Sequence, residues 1–221
     1  MRQRKIILSL CDHTGNWPRF YEPDLYEVET LDIKKGHDIR YLPYFNRHVH
    51  GILAAPPCTE FCIVAAQHWA RKDSERPELL QEALSVVHAC LSMVAIYRPV
   101  WWALENPVGR LRRYLGPPAW LFNPCDYGRW LALGERTVPE FPPNDAYTKY
   151  SHVWGTAKKP ELRPVKPVYK EYFSESRQRS HRVSPLTHGQ WENLKREGVT
   201  DEKLRSTTPL GFAKAFRAAN R

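Results

Sequence analysis

No uninterrupted apolar run of about 18 residues occurs in this sequence, which removes the plainest sign of a membrane-spanning helix. A signal peptide is not expected either, because MRQRK leads straight into the strand-like KIILSL. Disulfide-like spacing is missing: Cys11, Cys58, Cys62, Cys90 and Cys125 make an odd set of 5, so a reducing compartment, the cytoplasm, is expected. Cys58 and Cys62 have a C-x3-C spacing that zinc tolerates, but no second pair completes four ligands and no metal is expected. Negative charge is in deficit. With 33 Lys and Arg against 24 Asp and Glu the formal charge is +9, and the isoelectric point is about 9.4. Such an excess favours polyanionic partners, nucleic acid above all. The 221 residues are enough for one α/β domain with a substantial core and a small appendage.

What is present centres on Val49 to Cys62, VHGILAAPPCTEFC. Gly51 to Ala55 is a short run of apolar and small residues, the pattern of a buried strand in a parallel sheet. Pro56 and Pro57 stop it, because neither can donate to a ladder and both fix φ. Cys58 is thereby placed on a stiff loop beyond the strand's carboxyl end, the edge at which open α/β sheets bind ligands. A thiol there is a candidate nucleophile.

Lys5 to Leu10 reads as the first strand, CDHTGNWPRF as a loop containing Gly15, and Tyr26 to Leu31 as a second strand tipped by Asp32. This is the outline of a nucleotide-binding βαβ unit, although one glycine stands where a fuller pattern has two or three, and Asp32 could equally be an ordinary cap. Gly36 makes a turn and Asp38 opens another short element. A helix is expected from Ser74 as N-cap, with Pro77 in its first turn and Leu79, Leu80, Ala83, Leu84, Val87, Leu91 and Val94 at helical spacing. On it, His88 and Cys90 read as packed side chains. Pro99 ends the helix, Val100 to Leu104 reads as the next buried strand, and Glu105, Asn106 and Pro107 follow it to the same sheet edge as Cys58. Taken alone, Glu105 could be a helix N-terminal residue stabilised by the dipole. GPPAWLFNPCDYGRW reads as a further strand leading to a turn at Gly128, Thr148 to Gly155 as another, and Thr208 to Ala219 as a closing helix.

PPCTEF after one strand and ENP after the next, behind DHTG and a strand-end Asp32, resemble the DNA cytosine-5 methyltransferases, particularly short phage and prophage-type members. The similarity runs from LSLCDHTGNW through WWALENPVGRL and YTKYSHVWG to STTPLGFAKAFRAAN. It implies a Rossmann-like S-adenosylmethionine-dependent methyltransferase fold. That fold is α/β, a mostly parallel twisted sheet with helices on both faces, here with a reduced or absent target-recognition domain. Residues 1–157 and 205–221 would form the catalytic domain, and 158–204 a basic arm.

The resemblance implies roles for particular residues. Cys58 would attack C6 of a cytosine flipped out of DNA, and Glu105 would hydrogen-bond the ring and supply a proton. Activation of such a thiol ordinarily needs a lowered pKa. The loop Cys11, Asp12, His13, Thr14, Gly15 and Trp17 would face the methionine part of S-adenosylmethionine, with Pro56 and Asn220 nearby. Asp32 and Ile33 would face the ribose, and Asp38 and Ile39 the adenine. His13 replaces a glycine of the family loop and puts the loop's backbone geometry in question, and Thr59 stands where many members have Gln. Pro57, Asn106, Pro107 and Lys149 would border the base. No clean copy of the family's arginine segment is found. Arg177, Arg179 and Arg182 compete with Lys149 for its role, in a stretch from Lys158 to Arg182 with 8 basic residues, 3 acids and interleaved Tyr169, Tyr172 and Phe173. Prolines at 160, 164 and 167 argue for an extended arm. Other readings are an RNA or free-nucleotide acceptor, a carboxylated sulfonium donor, and a non-catalytic nucleic-acid-binding protein.

Overall fold

The computed structural model describes residues 3–41, 47–168, Arg196 and 206–221. β1 (Lys5–Leu10) is buried from Ile6 onward and β2 (Tyr26–Leu31) follows at the expected bounds. β3 (Val49–Ala54) is buried at every position and ends just before Ala55 and the two prolines. Two helices follow, α1 (Ala66–Glu75) and α2 (Pro77–Tyr97), then β4 (Trp101–Pro107) and the single turn α3 (Arg112–Leu115). β5 (Trp120–Phe122), β6 (Ser151–Gly155) and α4 (Leu210–Ala219) complete the elements that shape the site.

The six strands form one sheet in the order β2-β1-β3-β4-β6-β5. β1 pairs in parallel with β2 and β3, and β3 with β4. β6 is antiparallel to both β4 and β5, so it alone runs against the others and the sheet is mixed. Alternation along the strands sends side chains to two cores. Ile6, Leu8, Leu10, Ile52, Ala54 and Leu104 pack with Val87, Cys90 and Met93 of α2 on one face. Ile7, Leu53, Trp101, Ala103 and Val153 pack with Phe212, Ala215 and Phe216 of α4 on the other. Phe212 stacks on Phe122 at 4.0 Å and 10°, and Tyr21 donates from its hydroxyl to the Asn220 carbonyl at 2.8 Å, so α4 is held flat on the sheet.

Several expected boundaries shift. Ser74 does not cap the long helix: it lies in the last turn of α1, an element the pattern did not suggest, and Arg76 precedes α2 with Pro77 at its first position. His88 is exposed, whereas Cys90 is buried as expected. Val100 is 65% exposed and stands outside β4. Glu105, Asn106 and Pro107 belong to β4 itself, because β6 pairs with them and carries the strand past the point where its apolar run stops. A 3-10 helix, Pro124–Trp130, replaces the turn at Gly128, and β6 begins at Ser151 and not at Thr148. Residues 158–168 are extended, and Arg163, Val165 and Val168 donate backbone N–H groups to Asp126, Cys125 and Ala146, so this part lies against the body. Among the described residues one helix, α2, is long and apolar enough to cross a membrane; its Val87, Cys90, Met93 and Tyr97 are buried on the sheet.

Candidate active site

From β1 the chain moves to β2 on one side, and from β3 it moves to β4 on the other, so the crevice between the carboxyl ends of β1 and β3 is a topological switch point. Diverging loops leave room for a ligand at that place in an open α/β sheet. A cleft lies there. Cys11, Asp12 and His13 line it from the end of β1, Ala55, Pro56, Pro57 and Cys58 from the end of β3, Glu105 and Pro107 from β4, and Lys149 and Ser206 close it.

Asp12 organises the first loop. Its carboxylate accepts from Ser9 Oγ at 3.0 Å, from Thr14 Oγ1 at 2.8 Å and from the Gly15 N–H at 2.8 Å, an Asx-type turn built by one side chain. Cys11 and Gly15 take left-handed backbone, with φ of 58° and 67°, while His13 does not. His13 therefore sits at a position with no left-handed requirement, and the loop closes without a glycine there. Trp17 is 1% exposed and packs on Phe212 and Phe216, which makes it part of the core beneath the loop.

At the tip of β2, Asp32 is buried and accepts the Lys34 N–H at 2.8 Å as the cap of a short 3-10 turn ended by Gly36. Ile33 is 65% exposed, and Ile39 is buried in the α2-side core. Asp38 is gripped by Arg40, whose Nε donates to Oδ1 at 2.9 Å and to Oδ2 at 3.1 Å, while the Arg40 backbone N–H takes Oδ1 at 3.0 Å. The hydrogen bonds from Arg40 hold the Asp38 carboxyl below its ordinary value. A carboxylate so engaged has little acceptor capacity left for an adenine amine. Asn220 is 3% exposed: its amide donates to the Lys158 carbonyl at 3.0 Å and accepts the Lys158 N–H at 2.7 Å, locking the end of α4 to the chain after β6. That is neither a frayed terminus nor a side chain free to meet a ligand.

Cys58 and Glu105 face the same cleft from neighbouring strands. Burial pushes the Cys58 thiol up to about 11; Lys149 opposes this, and Cys62 and Glu105 add to it. A thiol activated in advance is thus not what the fold supplies, because removing water from the sulfur outweighs the one cation beside it. Glu105 Oε1 is buried without a hydrogen-bond partner among the described residues. Such an atom costs roughly 1–3 kcal/mol if nothing meets it, so a carboxyl oxygen left bare in a cleft marks a place for a donor. Asn106 is fully buried and donates to the Pro56 carbonyl at 2.9 Å, fastening the cysteine loop to β4, while its own Oδ1, like Glu105 Oε1, has no hydrogen-bond partner among the described residues. Alkylation of Cys58 by iodoacetamide should show its inflection near pH 11, and Lys149→Met should move it higher, since the cation favours the thiolate; an inflection at or below pH 8.5 would contradict this account.

The loops after β3 and β4 are zipped together. Ile63 N–H donates to the Val108 carbonyl at 2.9 Å and Arg110 N–H to the Phe61 carbonyl at 2.8 Å, around a bridge between Cys62 and Gly109. A Cβ on Gly109 would collide with the Phe61 carbonyl oxygen. Gly109→Ala should therefore destabilise the protein by about 2–3 kcal/mol, read as a lower urea midpoint at unchanged m-value, and an unchanged midpoint would show that the two loops separate freely. Arg110, Glu60 and Asp73, which tie this region to α1, escaped the sequence reading. A buried pair separated by 50 residues leaves no local pattern.

Arg177, Arg179 and Arg182 lie outside the described residues, as do Tyr169, Tyr172 and Phe173. Among the described residues no group of three or more His, Cys, Asp or Glu side chains is arranged to hold a metal ion. No protein-family model matches the chain, and no curated protein matches it. Among solved structures, the chain is similar to a protein provisionally named as a DNA modification methyltransferase encoded within a prophage of E. coli. That likeness has 11% identity and a TM-score of 0.45, covering 73% of this chain and 53% of the other, so the chain spans about half of that structure's length.

Proposed function

We propose that this chain transfers a methyl group to C5 of a cytosine in DNA. Cys58 is the covalent nucleophile and Glu105 the proton donor to the ring. The observation that carries the reading is the pairing of a thiol with a buried, unpartnered carboxyl oxygen in one cleft at the carboxyl ends of adjacent strands. Cytosine presents to a carboxyl group an amine that donates and a ring nitrogen, N3, that takes a proton, so one carboxylic acid can satisfy both. As the Cys58 thiol gives its proton to water and the sulfur bonds to C6, the C5=C6 electron pair moves toward C5 and the proton from Glu105 goes to N3. After C5 is methylated, loss of its proton to a base restores the double bond and expels the thiolate. Attack on C6 comes perpendicular to the ring, a face hidden by stacking in a duplex, and so the base must be flipped out. Lys149 borders the cleft where it favours the thiolate as this bond forms.

S-adenosylmethionine, when bound, would supply the electrophilic methyl group. The residues that fit it are the Asp12-organised turn, whose backbone bends at Cys11 and Gly15, and Asp32, whose Oδ2 has no hydrogen bond among the described residues beside the capped Oδ1. Asp38, spent on Arg40, fits less well, and Ile39 and Trp17 act from the core. The stretch from 158 to 204 is proposed to contact the DNA backbone through its basic residues, Arg177, Arg179 and Arg182 included. The test is incubation with methyl-labelled S-adenosylmethionine and duplex DNA of mixed sequence, followed by hydrolysis and identification of the labelled base. Label on C5 of cytosine supports the reading. Label on an exocyclic amine, on RNA alone, or nowhere overturns it.

A further inference from the structure

Beyond the two groups that face the cleft, the structure ties their supporting loops together with a buried ionic cluster. Arg110 is 3% exposed and follows β4 by three residues. Its Nε donates to the Glu60 carbonyl, one of its Nη groups grips both Asp73 oxygens at 2.8 and 2.7 Å, and the other reaches Glu60 Oε2 at 3.5 Å. Lys72 takes the remaining Glu60 oxygen, and the Arg110 guanidinium lies 5.0 Å from the centre of the Trp69 ring. Glu60 is two residues past Cys58, while Lys72, Asp73 and Trp69 belong to α1. The planar fork is the only side-chain shape that makes all these contacts at once.

We infer that Arg110 is a positioning residue for Cys58, holding the nucleophile's loop at a fixed place relative to Glu105 through Glu60 and α1. The inference rests on the reading of Cys58 as the nucleophile. The loop is fastened at its start by Asn106 on the Pro56 carbonyl and at its end by the Arg110 N–H on the Phe61 carbonyl. Both fasteners come from the segment that carries Glu105, so the separation of sulfur and carboxyl is set by cross-links between their own loops. The Arg110 side chain adds the third tie, at the buried Glu60 on the inner side of the loop. Releasing it lets the loop swing, which moves the sulfur out of line and wets it together.

These two effects oppose each other in their readouts, and that separates positioning from general damage. Arg110→Met should lower the kcat for methyl transfer about 10- to 100-fold with KM for S-adenosylmethionine unchanged, the size expected from misplacing a reacting atom by about 1 Å. Alkylation of Cys58 by iodoacetamide at pH 8 should at the same time become faster by about tenfold. Solvation would raise the thiolate fraction about 100-fold if the pKa fell by about two units, and the lower nucleophilicity of that thiolate takes back about tenfold. Peptide mapping must show Cys90 and Cys125, both buried, still protected. Arg110→Lys should recover only part of the kcat, and Asp73→Asn, at a carboxylate 43% exposed, gives the same direction with less strain on folding. Unchanged Cys58 alkylation in Arg110→Met and in Asp73→Asn would overturn the inference, as would equal loss of protection at all three cysteines. The alkylation arm needs no methyl transfer, so a wild-type protein that transfers nothing would defeat the proposed function and leave the positioning test standing.

Discussion

Cys58→Ala should bind S-adenosylmethionine as wild type does and transfer no detectable methyl group to DNA. Of the groups that line the cleft among the described residues, the Cys58 and Cys11 sulfurs are the intrinsically most nucleophilic, and Cys58 is the one on the Glu105 side that can bond to C6 and turn C5 into a nucleophile. An alanine leaves the pocket's walls in place and removes that bond altogether. By comparison with the loss of an activated nucleophile in other enzymes, the rate should fall on the order of 10⁴-fold or more. Donor binding is spared because the residues that fit the donor lie at the ends of β1 and β2, beyond the loop that changes. Stability should change little, about 1 kcal/mol or less, since one half-buried sulfur is lost and no hydrogen-bonded partner is stranded. DNA carrying 5-fluorocytosine provides the check, because fluorine at C5 cannot leave as a proton does and the adduct persists. Wild type should form a covalent complex stable to denaturant and map it to Cys58; the alanine variant should form none. Methyl transfer persisting in Cys58→Ala, or an adduct mapped to Cys11, would remove the proposed mechanism.

The second large effect belongs to Glu105. Glu105→Gln keeps the length and volume of the side chain and its place in β4, where Glu105 pairs with Val153 across the ladder. It removes the acid. An amide can still meet the cytosine amine through its oxygen, but it cannot give a proton to N3 as the sulfur bonds to C6. The rate should fall about 10²–10⁴-fold, the usual range for a general acid, with adduct formation on 5-fluorocytosine slowed in parallel. Folding should be preserved or slightly improved, because Oε1 has no hydrogen-bond partner among the described residues to lose. A Glu105→Gln enzyme within about threefold of wild type would mean that the bare oxygen faces the cleft for another reason, and that N3 receives its proton from elsewhere.

The raised thiol and the bare carboxyl belong together chemically. A thiol pushed up to about 11 by burial is almost wholly protonated in a neutral solution, and slow alkylation of the free protein is the expected result. The thiolate must then form only as substrate fills the cleft. In the proposed reaction Lys149 would supply a cation at that moment and Glu105 would give a proton to the ring, relieving the negative charge that bonding to C6 creates.

How much of this was legible in the residues depends on how local each cause is. Pro56 and Pro57 fix the chain direction after a strand by covalent geometry alone, so the place of Cys58 beyond β3 followed from three adjacent letters. The first two strands were legible to the residue as well: KIILSL is the apolar run a buried parallel strand needs, and YEVETL is a half-buried edge strand rich in strand-forming Tyr, Val and Thr that ends at Asp32. Glu105 was visible as a carboxylate at the end of an apolar run, but its membership of β4 was not, because the pairing partner His152–Val153 lies far along the chain. The N-cap expected at Ser74 failed because a second helix, α1, runs up to it. Packing of Trp69, Lys72 and Asp73 on Arg110 and Glu60, and not the propensity of AQHWARKDSE, holds that helix. Asn106 and Asn220 carried no sign of whether they would face a ligand or the backbone, and the fold used both as fasteners.

By itself the sequence determined the first strands along the chain, the stiff turn that carries the thiol and the acidic tip of β2, because each depends on the φ preferences and polarity of neighbouring residues. Only the tertiary structure decided that the sheet turns back through β6, that thiol and carboxyl share one cleft at the switch point, and that Arg110 binds their loops together. Those outcomes rest on contacts between residues tens of positions apart, and on the balance between dehydrating a charge and surrounding it with partners, quantities that exist only once the chain has closed on itself.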